Sequence, residues 1–350
     1  METYSIKTYT VKQIRNWLQH NSDIDGLSSE VIKPSFAWAL IHNPYLRDDD
    51  PIVAALYECG CLAAATCAFP DLFDLPLFVD DNGIQRRIWW FPMLWCKPEY
   101  RRKHYGTLVL SSLAEQYGWE CSWAAWAVPA SRKIFENNGH KTYFFLRYFL
   151  ENKSINTKAL KGKVALIYQT LKTCCCSTVK PKIPQYGYTL CYLNNVDDFS
   201  FDFINNHREK HFFHSSIEKL NWDLQYPWSL SAILDYKVLK TGDYFSDVFS
   251  KVYNSFVQVW YFNKLIGVYR ISQIDSSLSC DNIFYENQFC EIVFASVVEH
   301  IKKLGITSFD TEDGKLYDYV NKYIYFPKSR VEKLSLTIPQ SINVPDKIIR

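Results

Sequence analysis

At 350 residues the chain exceeds one ordinary core and suits two domains of ~150–175 residues each. Its apolar fraction of 48%, with 24 Tyr, 23 Phe and 11 Trp, excludes a disordered chain, and only 12 Gly argue against a β-helix, a collagen-like array or a low-complexity protein. Lys and Arg total 39 against 37 acidic residues, and a net charge of +2 gives no bulk footprint for nucleic acid or anionic lipid, so no nucleic-acid or membrane partner is expected.

The eleven cysteines contain no C-x-x-C pair, so zinc-finger spacing is absent and no metal is expected. An odd count without a basic-then-apolar stretch in Met1 to Gln13 favours reduced, buried thiols in a cytoplasmic protein. Ile52 to Phe69 is long and apolar enough to raise a membrane question. Glu58 near its middle would cost ~2.5–3.5 kcal/mol in a bilayer, and a β-hairpin turning at Glu58-Cys59-Gly60 explains the same residues better.

Taken in chain order, Tyr4 to Thr10 alternates as a strand, and Val11, Ile14, Trp17 and Leu18 mark a helix over Val11 to His20. Pro34 opens a second helix running to about His42. Hairpin strands follow near 52–58 and 61–69. Arg87 to Cys96 is a strand dense in Trp and Phe, and Pro92 within it demands an edge, a bulge or broken pairing. Leu108, Leu110, Leu113 and Ala114 mark a helix to about Tyr117; Trp119 to Ala127 is a buried strand, Pro129 to Asn137 a helix, and Tyr143 to Leu150 a final strand. Trp89, Trp90, Trp95, Trp119, Trp123 and Trp126 are read first as core.

Residues 151–185 form a joint. It holds a short helix or strand over Leu160 to Leu171, the triplet Cys174 to Cys176, and the stiff Lys180-Pro181-Lys182-Ile183-Pro184. From Tyr186 the element order starts again: a strand at Tyr188 to Leu193, helices at Val196 to Asn206 and Ser215 to Leu224, and a hairpin around Asn263-Lys264. A strand at Asp281 to Tyr285, a helix from Phe289 to Leu304, a strand at Ile306 to Asp310, a helix at Leu316 to Tyr323 and a last strand at Val331 to Ile338 complete it. The expected division is therefore 1–150, a joint at 151–185, and a second domain over 186–350.

The most informative segment runs from Met93 to Leu110. A strand enters a turn with Arg101, Arg102 and Lys103, and the turn enters a helix. The first backbone N–H groups of a helix lack internal partners and its dipole favours an anion there. Basic side chains add charge-assisted bonds to phosphate oxygens, and Gly106 leaves room for close approach of a ligand. Together these describe a pyrophosphate cradle.

This segment resembles the acetyl-CoA loop of the general-control-related N-acetyltransferase (GNAT) superfamily. Pro98-Glu99-Tyr100-Arg101 matches closely, Arg101 takes the first position of the Arg/Gln-x-x-Gly-x-Gly/Ala motif and Gly106 the last, while His104 stands where its first glycine is usual. Phe135 and Gly139 in Ala130 to His140 match the aromatic-x-x-x-Gly pattern downstream, with Phe135 where many members place a tyrosine general acid. The resemblance implies an α/β fold with a mixed, largely antiparallel GNAT-type sheet flanked by helices, in two GNAT-like repeats. It further implies acetyl-CoA as acyl donor, bound by Met93, Leu94, Trp95, Arg101, Arg102, Lys103, His104, Tyr105, Gly106 and Thr107. Trp95 falls on the strand that lines the pantetheine arm in that family, and a backbone N–H near Met93 to Trp95 would polarise the carbonyl.

The implied activity is an N-acyltransferase moving an acetyl group to a small-molecule amine, with amino sugars among the candidate acceptors. The alternatives are a catalytically silent binding protein of the same fold, or a tRNA-dependent aminoacyl transferase, which the neutral charge disfavours. Glu58, Asp71, Asp74 and Glu120 are the acidic residues nearest the expected cleft, and no pattern selects a base among them. Cys121 and Ser122 lack an adjacent His or Asp, which argues against nucleophilic catalysis. In the second half, Tyr285-Glu286-Asn287-Gln288-Phe289 has no glycine and an acidic residue where phosphate would sit, so that repeat is expected to be degenerate.

Overall fold

The structure is a computed structural model, and it describes residues 4–20, 25–72, 87–125, 127–151, 181–207, 216–226 and 252–342. Expectations for Asp74, Trp126, the cysteine triplet and most of the 151–185 joint fall outside these residues. The chain divides into two compact units. Unit 1 gathers Met1–Phe145, Lys210–Tyr244 and Leu334–Arg350; unit 2 gathers Leu146–Glu209 and Phe245–Lys333. This differs from the consecutive split expected at 151–185, and burial explains why. Trp222, from the second half of the sequence, is 3% exposed inside the unit 1 core and donates its indole N–H to the Ala39 carbonyl at 3.0 Å. Leu336 and Ile338 likewise join Ile88 and Trp123 in unit 1, while Leu150 joins the core of unit 2.

Unit 1 begins with β1 (Tyr4–Thr10), α1 (Val11–His20), α2 (Pro34–Ile41), β2 (Pro51–Glu58), β3 (Cys61–Leu72) and β4 (Arg87–Cys96). A 3-10 turn (Pro98–Tyr100), α3 (Tyr105–Tyr117), β5 (Ser122–Ala125), α4 (Pro129–Asn137) and β6 (His140–Glu151) follow. A reciprocal capping box starts α1: Thr10 N–H donates to Gln13 Oε1 at 2.8 Å, and Gln13 N–H to Thr10 Oγ1 at 3.3 Å. The helix buries Val11, Ile14, Trp17 and Leu18, the face that the spacing predicted. The buried strand expected over 119–127 is shorter: Trp119–Cys121 is a 3-10 turn and only Ser122–Ala125 is extended.

Unit 2 repeats the plan with β7 (Tyr188–Leu193), α5 (Asp198–Asn206), β8 (Val252–Tyr261), β9 (Lys264–Ile274), β10 (Ser277–Tyr285), a 3-10 turn (Asn287–Phe289), α7 (Cys290–Leu304), β11 (Ser308–Thr311), α8 (Gly314–Tyr323) and the start of β12 (Lys328–Pro339), which belongs to unit 1 from Leu334 on. The intervening helix α6 (Ile217–Gln225) lies in unit 1.

Pairing shows that the units are repeats. β1–β2, β2–β3 and β3–β4 are antiparallel and β4–β5 is parallel; β7–β8, β8–β9 and β9–β10 are antiparallel and β10–β11 is parallel. Each fifth strand then pairs antiparallel with a strand that the other sequence half contributes, β5 with β12 at Thr337 and Leu336, and β11 with β6 at Tyr148 to Glu151. Both β2–β3 and β8–β9 hairpins turn through two residues of positive φ, Cys59 (49°) and Gly60 (78°) in one, Phe262 (46°) and Asn263 (60°) in the other. The result is a tandem α/β fold with mixed, largely antiparallel sheets flanked by helices. Cys67, Cys121 and Cys280 are buried as expected, but Cys59, Cys61 and Cys191 are exposed, Cys59 because it lies in the hairpin turn and Cys61 because it opens β3 directly after it.

Candidate functional site

The cradle region forms around the end of β4. Lys97 N–H donates to the Ala63 carbonyl at 2.9 Å, anchoring the chain to β3 before it turns through Pro98–Tyr100. Arg102 (φ 77°) and His104 (φ 60°) then adopt the left-handed conformation. Positive φ strains most side chains but is better tolerated by His than by branched residues, so the residue standing at the usual glycine position still makes the turn. No side chain caps α3, and Leu108 N–H donates to the His104 carbonyl at 3.1 Å. The N-terminal turn of α3, with Tyr105, Gly106 and Thr107, thus carries the partial positive charge of an uncapped helix start.

Arg101, Arg102, Lys103 and His104 are all exposed. Lys103 is committed to Glu58, with Nζ donating to Oε1 at 2.8 Å, and the Tyr105 hydroxyl donates to the same oxygen at 2.6 Å. These two bonds hold the Glu58 carboxyl below the usual carboxylate range. Arg101 and Arg102 form no ion pair among the described residues. A Cβ placed on Gly106 would meet only Leu94 methyls at 3.9 and 4.0 Å, so the protein's own packing leaves the space over this glycine open.

Met93, Leu94 and Trp95 lie beyond a bulge. Cys67 pairs with Met93 and Phe69 with Trp90, so Phe91 and Pro92 together oppose Ala68. Pro92 sits where a ladder donor is not required, as its presence in the strand demanded. On the other edge, β4 pairs with β5 only at Trp89–Ser122 and Trp90–Trp123, after which β5 turns to pair with β12. The strands diverge there, and beyond Trp90 the β5-facing edge of 91–96 carries no pairing to β5 on its way to the turn that leads into α3.

The four carboxylates near the expected cleft now separate. Glu58 is bound to Lys103 and Tyr105. Glu120 folds back over Gly118, its carboxylate filling the space that a side chain at Gly118 would need. Asp74 lies outside the described residues. Asp71, near the end of β3, pairs with Ile88 on β4 and accepts a bond from the Trp90 indole. Burial pushes its carboxyl up to about 6; Lys219 opposes that shift and Asp223 adds to it.

Phe135 is 1% exposed, packed edge-on against Phe91, Trp119 and His140. The position of the usual tyrosine is thus an aromatic core contact. Ser122 donates its hydroxyl to the Gly118 carbonyl at 2.9 Å, and His140 Nε2 contacts the Ser122 carbonyl at 2.7 Å rather than its hydroxyl. No serine–histidine relay is formed there.

In unit 2 the corresponding turn carries Glu286, bound by Lys264 Nζ at 2.7 Å. Sequence reasoning missed a cluster at its parallel strand pair. Arg147 Nε donates to Asp310 Oδ1 at 2.8 Å and its Nη2 to Ser279 Oγ at 2.9 Å, with Asp281 at 3.4 Å and Glu312 at 3.4 Å. These residues stand far apart in sequence and share no motif, so only the pairing of β6 with β11 and of β10 with β11 reveals them. Among the described residues no group of three or more His, Cys, Asp or Glu could hold a metal, and no helix is long and apolar enough to cross a membrane.

This strand order, the bulged fourth strand, its divergence from the fifth and the basic turn into α3 define a tandem GNAT fold. Solved structures agree. The chain is similar to a protein from Pyrococcus horikoshii assigned as an acetyltransferase, with a TM-score of 0.50 at 11% identity, covering 97% of this chain and 90% of that one. It is also similar to a protein from Enterococcus faecalis assigned as an N-acyltransferase, with a TM-score of 0.51 at 12% identity over 96% and 72% of the two chains. A third similar structure is the glucosamine N-acetyltransferase region of a fungal multi-domain beta-N-acetylglucosaminidase, with a TM-score of 0.51 and 12% identity over 96% of this chain and 38% of that one. No protein-family model and no curated protein matches the sequence. Likeness at these identities establishes the fold.

Proposed function

We propose that the chain is an acyl-CoA-dependent N-acyltransferase whose first repeat holds the acyl donor, acetyl-CoA, and whose acceptor is the amine of a small molecule. The observation that carries this reading is the left-handed Arg102–His104 turn, which delivers an uncapped α3 to the end of a bulged, diverging β4. Arg101 and Arg102 would neutralise pyrophosphate from solvent, and the α3 amides would cradle it. The glycine at 106 leaves space for that group. The free edge of β4 near Met93 to Trp95 would hold the pantetheine arm and present a backbone N–H to the thioester carbonyl, stabilising the negative charge that develops on its oxygen. The bound donor supplies an activated acyl group with a thiolate leaving group.

The glucosamine-acetylating region among the similar structures supports testing amino sugars first. Phe135, packed in the core where a hydroxyl would be useful, favours a second reading: a silent protein that binds acetyl-CoA without transfer. A neutral balance of charge continues to disfavour a tRNA-borne donor. Acetyl-CoA added to the full chain should raise its melting temperature, and a panel of amines assayed for free CoA separates enzyme from silent binder. No melting shift at millimolar acetyl-CoA would sink both readings.

A further inference from the structure

Resting on the acyltransferase reading, we propose that Glu58 is a positioning residue of the donor site: its carboxylate ties the basic turn to the β2–β3 hairpin and, by its charge, limits how tightly the turn holds an anionic donor. The hairpin grips the turn at both ends. Leu56 pairs with Ala64 and Tyr57 with Leu62, so Ala63 is the extra residue of a bulge, and its carbonyl accepts the Lys97 N–H at 2.9 Å where the turn begins. Where the turn ends, Glu58, the last residue of β2, accepts from two donors on one oxygen, Lys103 Nζ at 2.8 Å and the Tyr105 hydroxyl at 2.6 Å. Tyr105 is the first residue of α3 and 2% exposed, and Lys103 stands between the left-handed Arg102 and His104. Left-handed backbone is not what the side chains at 102 and 104 prefer, so the shape of the turn depends on what holds it.

The second repeat carries the same link with its signs exchanged. There the hairpin supplies the cation, Lys264 at the start of β9, and the turn supplies the anion, Glu286, with Nζ and Oε1 2.7 Å apart. An ion pair from hairpin to turn is thus common to both repeats, and the first repeat puts the basic partner on the turn.

That placement has two opposing consequences for an anion. Glu58 is only 11% exposed, and its bonds to Lys103 and Tyr105 hold its carboxyl below the usual range, so it is charged at neutral pH. One negative charge therefore sits beside Lys103 and the uncapped start of α3, where the helix favours an anion from solvent. The tether aids donor binding by fixing the turn in advance, while the charge opposes it by engaging Lys103. A salt bridge that served stability alone would lack the second effect.

Calorimetric titration of full-chain wild type, Glu58→Gln, Glu58→Ala and Tyr105→Phe with acetyl-CoA at neutral pH separates tether from charge. Glutamine keeps an oxygen that accepts from both donors but carries no charge; alanine removes both. Glu58→Gln should bind at least ~3-fold tighter than wild type at low ionic strength, and the gap should close as salt is raised to about 0.5 M. Glu58→Ala should bind ~10-fold weaker than Glu58→Gln, and Tyr105→Phe ~3-fold weaker than wild type, through the lost hydrogen bonds. Should Glu58→Ala fail to fold, Glu58→Gln and Tyr105→Phe carry the test. Binding by Glu58→Gln no tighter than wild type, a gap indifferent to salt, or Tyr105→Phe equal to wild type overturns the proposal. If wild type gives no heat with acetyl-CoA, the acyltransferase reading falls instead. Inorganic pyrophosphate then becomes the probe with the same ranking expected, and no binding by either wild type or Glu58→Gln overturns the proposal as well.

Discussion

The chain makes the same turn twice, and only once does it set basic side chains and positive φ between that turn and the following helix. After β4 the Lys97 amide bonds to the Ala63 carbonyl at 2.9 Å; after β10 the Glu286 amide bonds to the Ile266 carbonyl at 3.1 Å. A 3-10 turn follows each. In the second repeat Phe289 leads straight into α7 at Cys290, whereas in the first the residues 101–104 intervene before α3 at Tyr105. Those residues carry three of the basic side chains and both left-handed positions. Anchoring the turn to the third strand is therefore what the fold requires. Charge and positive φ, added in that short insertion, are what an anion requires.

The helices differ accordingly. The third-strand residue just after each anchor is Ala64 in the first repeat and Gly267 in the second. A Cβ on Gly267 would stand 2.5 Å from a Val293 methyl, so α7 packs closer to its sheet there than a side chain permits. The second repeat has closed over the position, and Arg147 with its carboxylates fills the region where its parallel strands pair.

Substitutions break this comparison at different depths. The largest effect is expected from Trp222→Ala, which removes a buried indole and its bond to Ala39. A loss of ~3–5 kcal/mol in unfolding free energy, read by denaturant titration, would show that α6 belongs to the first repeat. Next, Arg101→Glu should abolish stabilisation by acetyl-CoA, about 2.7 kcal/mol at a hundredfold excess over Kd, while the unliganded melting temperature changes by only about a degree or two. Glu286→Arg should create no binding in return, since the second turn lacks the insertion. Gly267→Ala should cost ~1–3 kcal/mol by overpacking against Val293, and Ala64→Gly only ~0.5–1 kcal/mol, which thermal melts can separate. The smallest effect is expected from Lys103→Ala, whose charge Glu58 already engages; its acetyl-CoA affinity should fall less than that of Arg101→Ala in parallel titrations.

Acidity gives a fifth contrast. The folded state holds the Asp71 proton up to about 6 against an ordinary 3.8, so the native protein binds more protons than the unfolded chain between those values. This group's contribution to stability therefore falls as pH rises through that window and stays low above it. Asp71→Asn should flatten that part of the stability profile and be relatively stabilising at pH 8. A profile unchanged by the substitution would place Asp71 in a more solvated setting.

Much of this was legible in the letters because the evidence was local. The alternation of Tyr4 to Thr10, the apolar spacing of α1 and the Pro-Glu-Tyr-Arg turn are set by neighbours within a few residues. Pro92 announced the bulge without saying which residue it would oppose. The membership of α6 was not legible, because the indole of Trp222 finds Ala39 only through tertiary packing. Nor was the separation of Glu58 from Asp71. One carboxylate is held by Lys103 and Tyr105 from a turn forty-five residues on, the other by a helix about a hundred and fifty residues away.

Calorimetric titration of the full chain with acetyl-CoA tests the central asymmetry most directly. One site per chain is expected, with the heat lost in Arg101→Glu and retained in Glu286→Arg. Two sites per chain, no heat at all, or unchanged binding by Arg101→Glu would contradict the assignment of the donor site to the first repeat.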